Sequence, residues 1–186
     1  MIRPARPDDV ATIVELIKEL ATYEREPDAV QATAVDLQAA LFGEQPAVFA
    51  LIAEHDEGST PQIAGFALWF LNFSTWVGKH GIYLEDLYVK PEFRNYGYGK
   101  ALLTELASIA HERGYGRLEW SVLDWNEPAH GFYRSLGAGP MGDWTVWRLH
   151  GTDLTHLGTR VGGPGGGTVK RNQRSGPLDG GPRPTD

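Results

Sequence analysis

The stretch Arg94-Asn95-Tyr96-Gly97-Tyr98-Gly99 places a cation and two glycines between the strand-like run GIYLEDLYVK and the helical run KALLTELASIAHERG. At a strand-to-helix corner the first-turn N–H groups have no intrahelical partner, and the helix dipole favours an anion there. Glycines let a phosphate approach the backbone closely. The spacing is not a dinucleotide fingerprint, because Leu102 stands where G-x-G-x-x-G needs its third glycine. It is not a P-loop either: Arg94 replaces the first glycine, and Ala101 follows Gly99-Lys100 where a Mg²⁺-binding Ser or Thr belongs. Read alone, R-x-x-G-x-G is either a phosphate corner or a glycine-rich turn beside a surface arginine. Two more features could do acid–base chemistry. Glu85 and Asp86 adjoin on the preceding strand, and Tyr133 lies in the helix-like NEPAHGFYRSLG.

The elements around these residues follow from hydrophobic periodicity. MIRPA reads as a short extended start, and Val10, Ile13, Val14, Ile17, Leu20 and Ala21 recur at helical spacing behind Pro7-Asp8-Asp9. A weaker helix covers TAVDLQAALFG. AVFALIAEH, QIAGFALWFLNF and GIYLEDLYV read as strands. A helix of about fifteen residues follows the glycine corner and closes at Gly114. RLEWSVLDW is expected as a strand, NEPAHGFYRSLG as a short helix and WTVWRLH as a final strand. The order β-α-α-β-β-β-α-β-α-β alternates in its second half, which points to an α/β domain with a parallel crossover there.

From Gly158 onward the chain holds nine glycines, four prolines and no aromatic residue, a composition that cannot bury enough apolar surface to order itself. The expectation is one domain over residues 1–157 and a disordered Gly/Pro-rich tail over 158–186. The tail carries five Lys/Arg against two Asp/Glu, so the body bears −10 of a chain whose formal charge is −7. An acidic body argues against nucleic acid as partner and suits a cationic small substrate. No cysteine is present, which excludes disulfides, thiolate metal sites and a Cys nucleophile. The six histidines show no metal-ligand spacing, so no metal is assigned. MIRPARPDD lacks an apolar signal-peptide core and no apolar run approaches a membrane span, so a cytoplasmic protein without membrane attachment is expected.

R-x-x-G-x-G directly after LEDLYVKPEF resembles the acetyl-CoA pyrophosphate loop of the GNAT superfamily of N-acetyltransferases, and NEPAHGFYRSLGA resembles that superfamily's later helix motif. IRPA, LIKELATYE, YLEDLYV, DWNEP, FY and WRL together resemble the diamine (spermidine/spermine) acetyltransferase family, over roughly residues 2–150. The resemblance implies a mixed, splayed β-sheet flanked by helices, acetyl-CoA as co-substrate, and a homodimer. It implies that Arg94, Asn95, Tyr96, Gly97, Tyr98, Gly99 and Lys100 hold the pyrophosphate. The strand edge of Leu87, Tyr88 and Val89 would take pantetheine and offer an oxyanion donor, with further coenzyme contacts on Asn126, Glu127, Pro128 and Ala129. Asn126 reads equally as a plain helix N-cap.

Acetyl transfer needs a neutral amine, yet an amine of ordinary pKa is only about 0.04 % neutral at pH 7, a deficit of roughly 4–5 kcal/mol. By resemblance Glu85 is the general base that removes the proton and Tyr133 the general acid that protonates the leaving thiolate. In a regular strand Tyr83, Glu85, Leu87 and Val89 would share one face; a bulge would break that assignment, and the resembled superfamily commonly has one nearby. The resemblance also assigns substrate contacts to Tyr23, Glu24, Trp76 and Glu85. Ser74, two residues before Trp76, and Thr145, two before Trp147, stand where polyamine enzymes carry acids. Each missing charge-assisted pair removes about 1.5–3 kcal/mol of polycation binding, which favours a shorter amine or a lysine-like amino acid over spermine. Two other readings remain: a protein lysine or N-terminal acetyltransferase, and a non-catalytic acyl-CoA-binding module.

Overall fold

A computed structural model describes residues 1–56, 58 and 60–159. Its elements are β1 (Ile2–Pro4), α1 (Val10–Tyr23), α2 (Ala34–Phe42), β2 (Phe49–His55), β3 (Gln62–Ser74), β4 (Lys79–Val89), α3 (Tyr98–Glu112), β5 (Leu118–Trp120), α4 (Glu127–Ser135) and α5 (Gly151–Thr159). They fall into two compact units, the first ending at Trp125 and the second beginning at Asn126.

The first unit contains a five-stranded sheet in the order β1-β2-β3-β4-β5. All neighbours are antiparallel except β4 and β5, whose parallel pairing is bridged by α3. The crossover expected in the second half of the sequence is therefore present. One face of the sheet buries Ala50, Ile52, Phe66, Leu68 and Tyr88 against Val10, Ile13, Val14 and Leu16 of α1 and Leu37 and Leu41 of α2. Alternate strand residues, including Leu51, Ala53, Ala67, Trp69, Ile82 and Leu84, are buried on the opposite side with Leu102, Leu103 and Leu106 of α3. The period-2 and period-3.6 patterns in the sequence are this two-faced burial seen along the chain. Thr33 caps α2, its side chain accepting from the Asp36 amide while Asp36 returns a bond to the Thr33 amide.

The start of α1 is fixed by a buried ionic cluster. Arg3 on β1 donates twice to Asp9, at 2.6 and 2.9 Å, and through Nε to Glu54 on β2 at 2.6 Å. Asp9 also accepts from the Arg6 amide at 2.6 Å and is 6 % exposed. The Arg3 guanidinium, followed by the Arg6 amide, holds the Asp9 carboxyl below its ordinary range against the opposing effect of burial.

Two expected strands differ. RLEWSVLDW yields only the three residues of β5, because β4 departs from regular pleating at Glu85, immediately after its last pairing with β5 at Leu84. Trp144–His150, expected as the final strand WTVWRLH, is irregular and is followed by α5. Alternating side chains qualify a segment for a strand, but a strand also needs a ladder partner, and none engages this segment among the described residues. Trp144, Val146 and Trp147 are consequently exposed. Of the tail expected over 158–186, residues 158 and 159 end α5 and the rest lies outside the described residues. No described helix is long and apolar enough to cross a membrane.

The Arg3 cluster gives a stability prediction. Arg3→Ala strands the Asp9 carboxylate in a buried site, and removing one partner of a buried pair costs about 3–5 kcal/mol. Because Asp9 titrates low when folded, its contribution is present above the unfolded carboxyl range and is lost as pH falls through the folded value. Urea unfolding at pH 7 should show that loss, narrowing below about pH 4 as the carboxyl protonates. A difference under about 0.5 kcal/mol at pH 7 would show that the cluster is not what anchors α1.

Candidate active site

Strand β4 carries a bulge. Leu84 faces Trp69 and Asp86 faces Leu68, so Glu85 is an extra residue with no partner on β3. The bulge breaks the shared face that Tyr83, Glu85, Leu87 and Val89 would have in a regular strand. Tyr83 lies opposite Phe70, their rings 5.1 Å apart. Asp86 and Tyr88 lie opposite Leu68 and Phe66, on the face covered by α1. Leu87 and Val89 fall on the other face with Leu84, and Glu85 is exposed.

Because the ladder with β5 spans only Ile82–Leu84, Glu85 to Val89 extend past it. The sheet thus splays at the bulge, where the resemblance expects a free edge over Leu87, Tyr88 and Val89.

Electrostatics mark the same point. Burial pushes the Asp86 carboxyl up from an ordinary 3.8 to about 6, and the negative charges of Glu85 and then Glu24 add to the rise. Burial also raises Glu24, at the C-terminal end of α1. Three carboxylates from α1 and β4 are therefore close enough for one to resist ionisation. Asp86 had no assigned role in the sequence reading. The sequence shows the Glu-Asp pair, but not where the bulge falls and hence which member is half-buried.

The neighbouring residues of α1 build an aromatic border. The Tyr23 ring lies 6.1 Å from Trp125, Arg25 sits 4.3 Å over Trp125, and Arg94 sits 5.1 Å over Tyr23. Arg94 Nε donates to the Val89 carbonyl at 3.3 Å. Arg94, expected at the anion, and Tyr23, expected at the amine, are thereby joined at the end of β4. Trp125 was missed as a site residue although the sequence reading used DWNEP, because no spacing rule connects it to Tyr23. Trp76 is 87 % exposed at the tip of the β3–β4 hairpin. Six residues of strand, about 20 Å, separate Lys79 beside that tip from Glu85. Within this chain Trp76 is not brought to the carboxylates.

The glycine corner begins with a 3-10 turn over Pro91–Phe93 and contains two left-handed residues, Asn95 at φ 68° and Gly97 at φ 83°. Gly97 is the N-cap of α3 and supplies no side-chain cap. A Cβ added there would meet nothing within 4 Å, so the space before the helix is open. Left-handed geometry, an uncapped first turn and an open approach fit an anion such as a pyrophosphate. Lys100 and Arg94 are exposed beside it.

In the second unit Asn126 caps α4, its Oδ1 accepting from the Ala129 amide at 3.4 Å, with Glu127 and Pro128 in the first turn. The capping expected of Asn126 is present. Tyr133 is half-buried with its ring 5.3 Å from Phe132. Its carbonyl accepts from the Ala138 amide at 3.2 Å, closing the helix over Gly137 at φ 88°. Thr145 is exposed in the irregular segment.

These elements recur in known proteins. The sequence profile described as the Acetyltransferase (GNAT) family matches residues 11–138. Over 164 residues the chain is 38 % identical to thialysine N-epsilon-acetyltransferase of Bos taurus, covering 84 % of this chain and 96 % of that protein. It is 34 % identical to L-ornithine N5-acetyltransferase of Arabidopsis thaliana, covering 82 % and 85 %. An integron cassette protein from the mobile metagenome of V. cholerae superposes with a TM-score of 0.69 at 28 % identity, covering 86 % of this chain and 97 % of that one. With its glycine corner, bulged β4 and α4 motif inside the matched span, the chain belongs to the GNAT family of acetyltransferases.

Proposed function

We propose that the protein transfers the acetyl group of acetyl-CoA to a primary amine of a small cationic molecule, a short diamine or a lysine-like amino acid. The observation that carries this reading is the carboxylate trio Glu24, Glu85 and Asp86 at the splay of β4. Three acids at one place favour an ammonium group, and the aromatic border of Tyr23 and Trp125 suits a cation with an apolar stem. The relatives named for thialysine and ornithine support an acceptor of that size.

The thioester, when bound, supplies an activated acetyl group. On this reading the corner residues Arg94 to Lys100 hold the pyrophosphate, and Leu87 to Val89 offer backbone groups to pantetheine, with Asn126 to Ala129 completing the coenzyme contacts. Glu85, exposed at the bulge, takes the proton from the bound ammonium, directly or through a water. Asp86 and Glu24 hold the ammonium by charge. Tyr133 gives its hydroxyl proton to the departing sulfur, a transfer that a phenol can make to a thiolate. Tyr23, Glu24, Trp76 and Thr145 remain the proposed substrate contacts, with Trp76 reaching an amine only if it comes from another copy of the chain. A cytoplasmic homodimer belongs to this reading, supported by the exposed Trp144, Val146 and Trp147.

Incubation with acetyl-CoA and a panel of thialysine, lysine, ornithine, putrescine, spermidine, spermine and a lysine peptide, following thiol release, tests the function. Short amines should turn over fastest; a preference for the peptide would move the acceptor to protein. Tyr133→Phe should lower kcat by about 10²–10⁴ at unchanged KM for acetyl-CoA, and full turnover would remove its acid role. Glu85→Gln should lower kcat/KM by about 10²-fold at pH 7, with the defect shrinking toward pH 10 as the amine deprotonates unaided. A constant defect would argue against proton removal by Glu85.

Asp86 supplies a pH prediction. Its carboxyl titrates near 6 when folded against an ordinary 3.8. The folded protein thus binds more protons between those values, and stability falls as pH rises through that window. The full cost, on the order of 1–3 kcal/mol, applies above pH 6. Asp86→Asn should therefore raise thermal stability at pH 8 and change it little at pH 4, while raising KM for the amine. A stability change independent of pH would mean that Asp86 is not held above its ordinary range.

A further inference from the structure

His55 closes β2, 43 residues before the tyrosine that its ring meets on the glycine corner. It is one of only three polar side chains in the buried set of the described chain, at 6 % exposure. Its ring meets the glycine corner. Nδ1 lies 2.8 Å from the hydroxyl of Tyr98, the first residue of α3. The imidazole packs on Phe93 at 4.8 Å and stands edge-on to Tyr96 at 5.0 Å and to Tyr98 at 6.0 Å. Tyr96 and Tyr98 in turn stack 6.3 Å apart at 16°.

Phe93, Tyr96 and Tyr98 bracket both left-handed residues of the corner, Asn95 and Gly97. A left-handed non-glycine residue is disfavoured and persists only where its surroundings over-determine it. Asn95 has its side chain exposed, and the packed rings of Phe93 and Tyr96 flank its inverted backbone on either side. The His55–Tyr98 hydrogen bond ties the first residue of α3 to the sheet. The ring contacts pin Tyr96 between the two inverted residues. Both sets of contacts fall on the residues that carry the chain into the first turn of α3.

We propose that His55 is a positioning residue for the coenzyme: it acts through Tyr96 and Tyr98 to pre-shape the corner for the pyrophosphate, touching neither the coenzyme nor the amine. This rests on the reading of residues 94–100 as the pyrophosphate site. A core histidine serving stability alone would affect every substrate equally. A residue that shapes the corner affects only the part of the coenzyme that the corner holds.

The test compares acetyl-CoA with S-acetylpantetheine, which has the same thioester but no pyrophosphate, in the wild-type protein, His55→Phe and His55→Asn. Phe keeps a ring of similar shape and removes the hydrogen bond; Asn can restore a polar atom near the Nδ1 position. His55→Phe should raise KM for acetyl-CoA about 5–10-fold with kcat and the amine KM held, the size expected for losing the His55–Tyr98 hydrogen bond. Its kcat/KM for S-acetylpantetheine should not change, and His55→Asn should recover part of the acetyl-CoA loss. Equal losses for both thioesters, or no loss for either, would overturn the role of His55. A wild-type protein that uses both thioesters equally well would instead overturn the pyrophosphate reading on which the inference rests. If His55→Phe fails to fold, the same comparison in His55→Asn decides, since a weaker acetyl-CoA KM with unchanged S-acetylpantetheine kinetics still separates positioning from bulk stability.

Discussion

One surplus residue in β4 organises the first unit. A regular strand would continue its parallel ladder with β5 and send Glu85 and Asp86 to opposite faces of a covered sheet. With Glu85 inserted between Leu84 and Asp86, the ladder to β5 stops at Leu84 and the strand turns away. The inserted residue lies outside the pairing and is exposed, while the next is delivered to the face under α1. The same irregularity therefore opens the backbone edge beyond it, presents one carboxylate and half-buries another. The rise of Asp86 to about 6 is the electrostatic expression of that geometry, since burial is its leading cause and the neighbouring acids come second.

The bulge would achieve little if α1 did not end beside it. Helix α1 runs fourteen residues, about 21 Å, from the Arg3–Asp9–Glu54 cluster to Tyr23. A small tilt at the start would move its far end by several ångströms, so the ion cluster at one edge of the sheet sets the position of Tyr23 and Glu24 at the other. Apolar packing of Ile13, Val14 and Leu16 holds the helix down but is less directional than two forked hydrogen bonds. On the proposed reading, binding geometry at the amine is thus fixed by residues that the amine never touches.

The architecture was largely legible in the sequence because each helix and long strand buries one or two faces of a common core, and burial writes its period into the residue order. Gly114 after α3, Asn126 before α4 and the crossover helix were readable for the same local reasons. What escaped depends on pairing between segments far apart in sequence. WTVWRLH has a strand's alternation, yet alternation does not say whether a ladder partner exists. YLED announces two acids, but which one is buried follows from a register slip against Leu68 and Trp69 that no residue type signals. Trp125 meets Tyr23 across about a hundred residues, and His55 meets Tyr98 across 43.

The end of β4 also faces an electrostatic conflict that its sequence resolves by order. An acetyltransferase handling an amine must hold a cation, and its coenzyme is a polyanion, so two opposite potentials are required within a short distance. Glu85 and Asp86 come first along the strand, and Lys90, Arg94 and Lys100 follow at and beyond its end. Arg94 stands at the junction, bonded to the Val89 carbonyl and laid over Tyr23; burial and then Glu19 raise the Tyr88 hydroxyl above its ordinary range, and the Arg94 charge opposes that rise. With its guanidinium occupied on the carbonyl and the ring, Arg94 does not collapse onto the carboxylates and neutralise them. Glu85, Arg94 and Lys100 are exposed, so solvent and salt damp their mutual attraction across the separation that the fixed backbone corner maintains, and the two potentials stay distinct. The rigidity that His55, Phe93, Tyr96 and Tyr98 give the corner is therefore an electrostatic requirement as much as a steric one.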